Sequence, residues 1–505
     1  MRFRLLSAAT AATSALLLIS GCSVVDETNP IAKKEVPKPT VEVTADAPGK
    51  KLALKVTDGT FENVQLIDDD AEGALVDLGE FKDSSDGASE EPTDGATDAA
   101  DSSDSSDSSD ESSEDASESA DPSADSSADA STDPSADASA DPSASTGEEA
   151  SDDPQTAWES SYRLAGDSTY TWTASALDAD GKEHTLTGTV DTDKLERTEI
   201  SARTLIGDNQ KVGVGAPIIV NFGSTVPEEF RATVESRLGL TFKDSDGNDR
   251  DVEGSWAWLP DVDGISRIHY RPREYWPEHT DVDLRMNLKD VPMGKRQKGE
   301  KDVELKFTVD RNQVVEGNTK THRMVVKRNG ETKWDFPASF GRAGSRTETH
   351  NGTHIVMSKH EYYVMRSQQW NYETPTRHAV RIHNNGEFIH GAPWSVGSQG
   401  SANVSHGCVN LAPGSAQKYF NSALYGDPVE IKGSSVSLSP ASGDVADWTY
   451  EWDEWTALSA IPADQREAAE EAMKDNAASP SAEATGSPTE GTSAPSESAT
   501  EESTD

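Results

Sequence analysis

The chain has 505 residues, with 45 Lys or Arg against 91 Asp or Glu, a formal net charge of −46, 33% hydrophobic residues and 2 cysteines. That length exceeds what one hydrophobic core usually organises, and the apolar share falls below the roughly 45–50% of globular chains, so several domains and some coreless segments are expected. Two cysteines exclude a disulfide-built fold, and the charge excludes nucleic acid as a partner and electrostatic docking on an anionic membrane, since both need clustered Lys and Arg.

Residues 1–21 set Arg2 and Arg4 before the apolar run Leu16-Leu17-Leu18-Ile19. The run is too short to span a bilayer and reads as a signal peptide. It ends Ile19-Ser20-Gly21-Cys22, which resembles the bacterial lipobox. The resemblance implies cleavage before Cys22 and lipidation of its thiol. Two acyl chains would then anchor the protein to the outer face of the plasma membrane, exposed to the cell wall; an ordinary secretory signal is the alternative. Residues 22–38, with prolines and mixed charge, read as a tether.

From Thr40 the pattern alternates with period two, as in Leu52-Ala53-Leu54-Lys55-Val56, and resumes in Tyr170-Thr171-Trp172-Thr173-Ala174. Such alternation marks half-buried strands. Between these halves, Asp83 to Pro154 carries 24 acidic residues and no Lys or Arg, and no aromatic or large aliphatic side chain. A segment of that kind cannot offset its ordering entropy and should stay disordered. The expectation is one β-sandwich over 39–203, with 83–154 looped out of it; loop closure costs grow slowly with length.

A second β unit is expected over 204–297, containing Pro217–Phe222, Trp256-Ala257-Trp258 and Asp281–Arg285. Within it Pro227 opens a helical stretch with Phe230, Val234 and Leu238 on one face. Asp244-Ser245-Asp246-Gly247-Asn248 has Gly at the wrong place for an EF-hand and reads as a turn. The third unit, 298–433, begins with strands Val303–Val309 and Met324–Lys327. Asn329-Gly330 and Asn385-Gly386 sit between alternating runs as hairpin turns, and a helix is expected over Ser415–Leu424. Trp448, Trp452 and Trp455 follow at i, i+4 and i+7, one helix face, so 434–460 should dock as a Trp-rich extension. Residues 461–505 carry further acidic low-complexity sequence and are expected to be a disordered tail.

Seven of the eleven histidines lie between His350 and His406, and Cys408 follows two residues later. Cys408 has no disulfide partner in the body of the chain, so it is either inert or reactive. It lies in Ser405-His406-Gly407-Cys408-Val409-Asn410, where Gly407 permits close backbone approach and a nearby histidine could hold a thiolate or take its proton.

Together with His390-Gly391-Ala392-Pro393-Trp394-Ser395, this run resembles the signature of the L,D-transpeptidases of bacterial cell walls, with His390 and Cys408 the required 18 positions apart. The resemblance covers about 204–457 and is nearest the actinobacterial type. It implies a mainly β chain: two immunoglobulin-like β-sandwiches, then a β-rich catalytic domain with one or two short helices. It implies Cys408 as nucleophile, His390 as general base and then acid, His406 as an orienting residue, and backbone N–H groups at Gly407 and Cys408 as the oxyanion hole. Tyr372, Asn385, Gly386 and Asn410 would hold the peptide stem, with Ser405 and Gly407 beside them, while Met357 and Trp394 would line the pocket. Gly391 stands where relatives can carry Ser; the change is harmless if the backbone carbonyl of residue 391 orients His390. The implied partners are a donor tetrapeptide stem and an acceptor diaminopimelate amine of peptidoglycan, with carbapenem β-lactams as inhibitors and no cofactor. The implied product is a 3→3 cross-link; with water as acceptor the site would be an L,D-carboxypeptidase.

Competing readings have weaker support. A metal centre could use His354, His383, His390 and His406, but no HExxH or paired-Cys spacing appears. A sortase needs an Arg soon after its Cys, and a serine hydrolase needs Gly-x-Ser-x-Gly; neither is present. A catalytically silent wall-binding lipoprotein is the alternative outside enzymology.

Overall fold

The computed structural model describes residues 36–82 and 155–478, apart from 369 and 444. The expected leader, Cys22 and most of the tether, the acidic stretch 83–154, and everything from 479 lie outside the described residues.

The first unit packs two sheets. One runs Thr40–Ala45, Lys51–Thr57, Ala157–Arg163, Glu80–Lys82; the other runs Thr60–Asp68, Thr169–Leu177, Glu183–Asp191. Alternate residues point inward, as period two requires. Leu52, Leu54, Phe61 and Leu66 meet Trp158, Tyr170 and Trp172 in one core, so both sides of the acidic stretch build the same sandwich. Lys82 pairs with Ala157, and the chain therefore leaves and re-enters this sheet on adjacent strands.

The second unit carries sheets ordered Gln210–Gly213, Val303–Arg311, Thr280–Met286, Leu238–Lys243 and Gly254–Val262, Ile265–Pro272, Ile218–Phe222, Ala202–Thr204. Both expected boundaries move. Thr198–Ile200 and Ala202–Thr204 pair inside this unit rather than closing the first. Val303–Arg311, expected in the third unit, pairs with Thr280–Met286 and buries Leu305, Phe307 and Val309 in the second core. Alternation identifies a strand but not the neighbour that accepts its hydrogen bonds. Helix Glu228–Glu235 buries Phe230 and Val234 as expected, while Leu238 already opens a strand. At the expected turn, Asp244 Oδ1 accepts the N–H groups of Asp246 and Asn248.

The third unit is a nine-stranded sheet in the order Gly352–Ile355, Pro428–Lys432, Gln313–Asn318, Arg323–Arg328, Glu331–Ser339, Val409–Leu411, Phe388–Gly391, Tyr372–Arg381, Ser358–Ser367. Asn329 (φ 49°) and Gly330 (φ 79°) make the tight turn between two of its strands. Helix Pro413–Ser422 buries Ala416 and Tyr419 against strands Tyr372–Arg381 and Phe388–Gly391.

The C-terminal piece differs from expectation twice. The three tryptophans do not share a helix: Trp448 lies in a single 3-10 turn, Asp447–Thr449, the chain extends at Tyr450, and Trp452–Thr456 is a separate short helix. They converge instead on Arg271 of the second unit, whose guanidinium carbon lies 4.8, 5.3 and 4.9 Å from the three ring centroids. Burial lowers the Arg271 pKa to about 10. Residues 463–478, expected within the disordered tail, form a helix that buries Ala469 and pairs Arg466 with the buried carboxylate of Glu235. The acidic count hid a stretch rich in Ala and Glu, which favour helix.

Candidate active site

Strands Phe388–Gly391 and Val409–Leu411 lie side by side and parallel, pairing His390 with Asn410 and Ile389 with Val409. Period-two alternation then puts Phe388, His390, Cys408 and Asn410 on one face of the sheet. His390, Cys408 and Asn410 open into a cavity of about 230 Å³ that Tyr372, Trp394, Ser405 and His406 help to wall. Most of the residues singled out from sequence therefore meet at one place.

His390 is 3% exposed. Its Nδ1–H donates to the Gly391 carbonyl at 3.1 Å, the tautomer that leaves Nε2 with a lone pair. Gly391 thus orients the base through its backbone, and the absent serine side chain is not needed for that contact. Burial lowers the His390 pKa to about 4, so the imidazole is neutral near pH 7. The half-buried Cys408 donates its thiol hydrogen to the Gly386 carbonyl at 3.7 Å. Burial is the main reason its pKa is pushed up to about 12, with Glu387 adding to the shift and the Phe388 backbone and Arg381 opposing it. The resting pair is a neutral thiol and a neutral imidazole, the starting state for base-assisted attack rather than a standing ion pair.

His406 is a wall residue, its ring centroid 5.2 Å from that of Trp370 and 5.4 Å from that of Tyr372. Burial and the charge of Arg342 lower its pKa. The exposed Trp394 ring lies 6.0 Å from the His390 ring. Asn410 donates through Nδ2 to Ser395 Oγ at 3.2 Å. Ser405 Oγ donates to the Cys408 carbonyl and accepts the Gly407 N–H at 3.2 Å. Of the two backbone donors expected for an oxyanion hole, that of Gly407 is therefore already engaged, and the Cys408 N–H remains as the candidate.

Two expected residues sit elsewhere. Met357 packs with Ile219, Ile355 and Val445 beside a separate cleft between the second and third units. It directly precedes strand Ser358–Ser367, its backbone N–H donates to the Arg381 carbonyl at 2.9 Å, and its side chain does not line the cavity that holds Cys408. Asn385 turns from the cavity toward His350, with Oδ1 accepting the Glu387 N–H at 3.0 Å. His354 and His383 are neighbours, ring centroids 5.7 Å apart, but stand apart from the cavity that holds His390 and His406. Among the described residues no three or more His, Cys, Asp or Glu side chains are arranged to hold a metal ion.

Sequence reasoning missed the Arg342 guanidinium over Trp370, Thr374 and Thr376 on the cavity wall, and Glu387 behind the thiol. The two threonines carried a signal, since residues 372, 374 and 376 share one face of a strand. Glu387 carried only its position beside Asn385-Gly386.

Residues 138–292 match a bacterial Ig domain family and residues 312–431 match the L,D-transpeptidase catalytic domain family. L,D-transpeptidase 5 of Mycobacterium tuberculosis is 43% identical over 301 residues, covering 59% of this chain and 65% of that protein. L,D-transpeptidase 2 of the same species is 32% identical over 259 residues, covering 50% and 60%. The chain thus spans less than two thirds of either relative. L,D-transpeptidase 1 of that species is 31% identical over 230 residues, covering 44% of this chain and 80% of the relative. A solved LD transpeptidase in complex with imipenem is 30% identical, covering 46% of this chain and 99% of its own, with a TM-score of 0.38.

Proposed function

This chain belongs to the L,D-transpeptidase family, and from that premise we propose that it transfers acyl groups between peptidoglycan stem peptides through a thioester on Cys408. In the proposed cycle His390 Nε2 takes the thiol proton as Sγ leaves the Gly386 carbonyl, and the sulfur attacks the carbonyl after the L-centre of diaminopimelate in a donor tetrapeptide. The oxyanion faces the Cys408 N–H; such donors contribute roughly 3–4 kcal/mol to acyl transfer. The C–N bond breaks, the imidazolium returns its proton to the departing D-Ala amine, and the thioester remains. The side-chain amine of an acceptor diaminopimelate then attacks, His390 accepts its proton, and the thiol is released with a 3→3 cross-link formed.

The observation that carries this reading is the buried, neutral His390 whose Nε2 lone pair shares a cavity with the neutral Cys408 thiol. Tyr372, His406 and Trp394 supply flat walls for an extended peptide, and Asn410 lines the same cavity. We place the protein on the outer face of the plasma membrane, tethered through lipid on Cys22, because its proposed substrate is the wall. The carbapenem in a relative's solved complex makes that drug class the proposed inhibitor.

Incubation with a purified disaccharide-tetrapeptide tests the function directly. The expected product is a 3→3-linked dimer with release of D-Ala, absent with Cys408→Ala. Hydrolysed tripeptide alone would make the site an L,D-carboxypeptidase. No product and no carbapenem adduct would leave a silent wall-binding scaffold.

A further inference from the structure

Behind Cys408 lies a charged cluster that the proposed cycle does not use. Glu387 is 4% exposed, yet its carboxylate is fully engaged. Oε1 accepts the backbone N–H of His350 at 3.0 Å and lies 2.9 Å from its Nδ1; Oε2 lies 2.7 Å from His354 Nε2. Glu387 directly follows Gly386, whose carbonyl accepts the Cys408 thiol. It also backs Gly407: a Cβ placed there would lie 3.5 Å from Glu387 Cγ and 3.7 Å from Oε1. The Gly407 carbonyl is held in turn by Thr349 Oγ1 at 2.6 Å, and Thr349 adjoins His350. One carboxylate therefore braces the two backbone segments that flank the reactive sulfur.

We propose that Glu387 is a positioning residue for Cys408, and that protonation of its partner His350 compensates its charge and so sets the reactivity of the thiol. This rests on the acyl-transfer reading above and deepens it by naming what regulates the same site.

The groups facing Glu387 are few. His350 comes from the turn before strand Gly352–Ile355, His354 from that strand, His383 from the end of strand Tyr372–Arg381, and Cys408 from the turn into Val409–Leu411. Gly443 closes over His383 and brings no charge. Glu348 points away, bonded to Ser434 and Ser435. His354 is completely buried, and among the described residues its Nδ1 finds no hydrogen-bond partner; the buried His383 Nε2 likewise finds none among them. For His383 this leaves no described acceptor for an added proton at Nε2. His350, with a side chain 31% exposed, is the one that can exchange protons with solvent. Its hydrogen bond to Glu387 raises its pKa, while burial and the adjacent His354 lower that of His383. Glu387 stays ionised, its pKa held near about 2 despite burial. Below the His350 pKa the pair is neutral overall. Above it, the Glu387 charge has lost its His350 counter-charge and opposes thiolate formation more strongly, with only the Arg381 guanidinium, among the described charged groups at Cys408, acting against it.

The test is the rate of Cys408 alkylation by iodoacetamide, read by mass spectrometry on the Cys408 peptide of the full chain, from about pH 5.5 to about pH 9. The ratio of Glu387→Gln to wild-type rate is expected to rise with pH by roughly five- to tenfold, because only in wild type does a Glu387 charge lose its counter-charge. His350→Gln should react more slowly than wild type at low pH and converge with it at high pH. A brace that acts only through packing would change both rates by pH-independent factors, and that result overturns the proposal. Should Glu387→Gln fail to fold, the partly exposed His350→Gln decides alone. Carbapenem adduct formation on wild type, measured in parallel, separates the two ideas: an adduct with flat ratios sinks this inference, and rising ratios without an adduct sink the acyl-transfer reading.

Discussion

Replacing His390 by Asn tests the neutral, buried base independently of turnover. The folded imidazole titrates near about 4 against an ordinary 6.5. Between those values the unfolded chain binds the proton and the folded one resists it, so stability rises with pH through this window and falls on acidification. Each pH unit of separation is worth about 1.4 kcal/mol, so the penalty reaches ~2 kcal/mol at about pH 5 and ~3.4 kcal/mol below about pH 4. His390 is 3% exposed, so solvent screening removes little of this. The assay is urea unfolding of wild type and His390→Asn at about pH 7 and about pH 5. Contributions from His350, His383 and the carboxylates recur in both proteins and cancel in the difference. Wild type should lose ~2 kcal/mol more than the variant between the two conditions. An equal loss in both proteins would refute a neutral His390, and with it the base that the proposed cycle needs. For the same reason kcat/KM should hold on the acid side well below the ordinary histidine range.

Further outcomes follow from the same contacts. Cys408→Ala should fold normally and show neither carbapenem adduct nor cross-linked product, by intact mass and muropeptide chromatography. Trp455→Ala removes a fully buried ring whose Nε1 donates to the Ser255 carbonyl and whose face covers Arg271; the unfolding midpoint should fall by an amount worth about 3–5 kcal/mol. Glu235→Gln leaves Arg466 without its anion and disturbs bonds from Ser459 and Ala460. Limited proteolysis should then cut within 463–478 several-fold faster than in wild type, and unchanged protection would show that Glu235 does not anchor that helix.

The features legible in the sequence were local ones. Period two in 52–56 and 170–174, Asn-Gly at 329–330, and the runs 390–395 and 405–410 each depend on neighbours a few positions away. The chain therefore announced its strands, one tight turn and the Cys408–His390 pair directly. What failed depended on partners far along the chain. The alternation of Val303–Arg311 is the same whichever sheet takes it, and only Leu284 and Val282 opposite it decide the second sandwich. Trp448, Trp452 and Trp455 have helical spacing, yet the Arg271 guanidinium gathers them without one continuous helix. Met357 carried no mark that Ile219 and Val445 would claim it.

Sequence alone thus determined which residues could do chemistry and the local geometry of the segments that bear them, because backbone sterics and side-chain period act over a few bonds. Tertiary structure alone decided their protonation. Only the folded surroundings remove water from His390 and Cys408 and set Glu387 behind the sulfur, and desolvation and Coulomb forces act through space rather than along the chain.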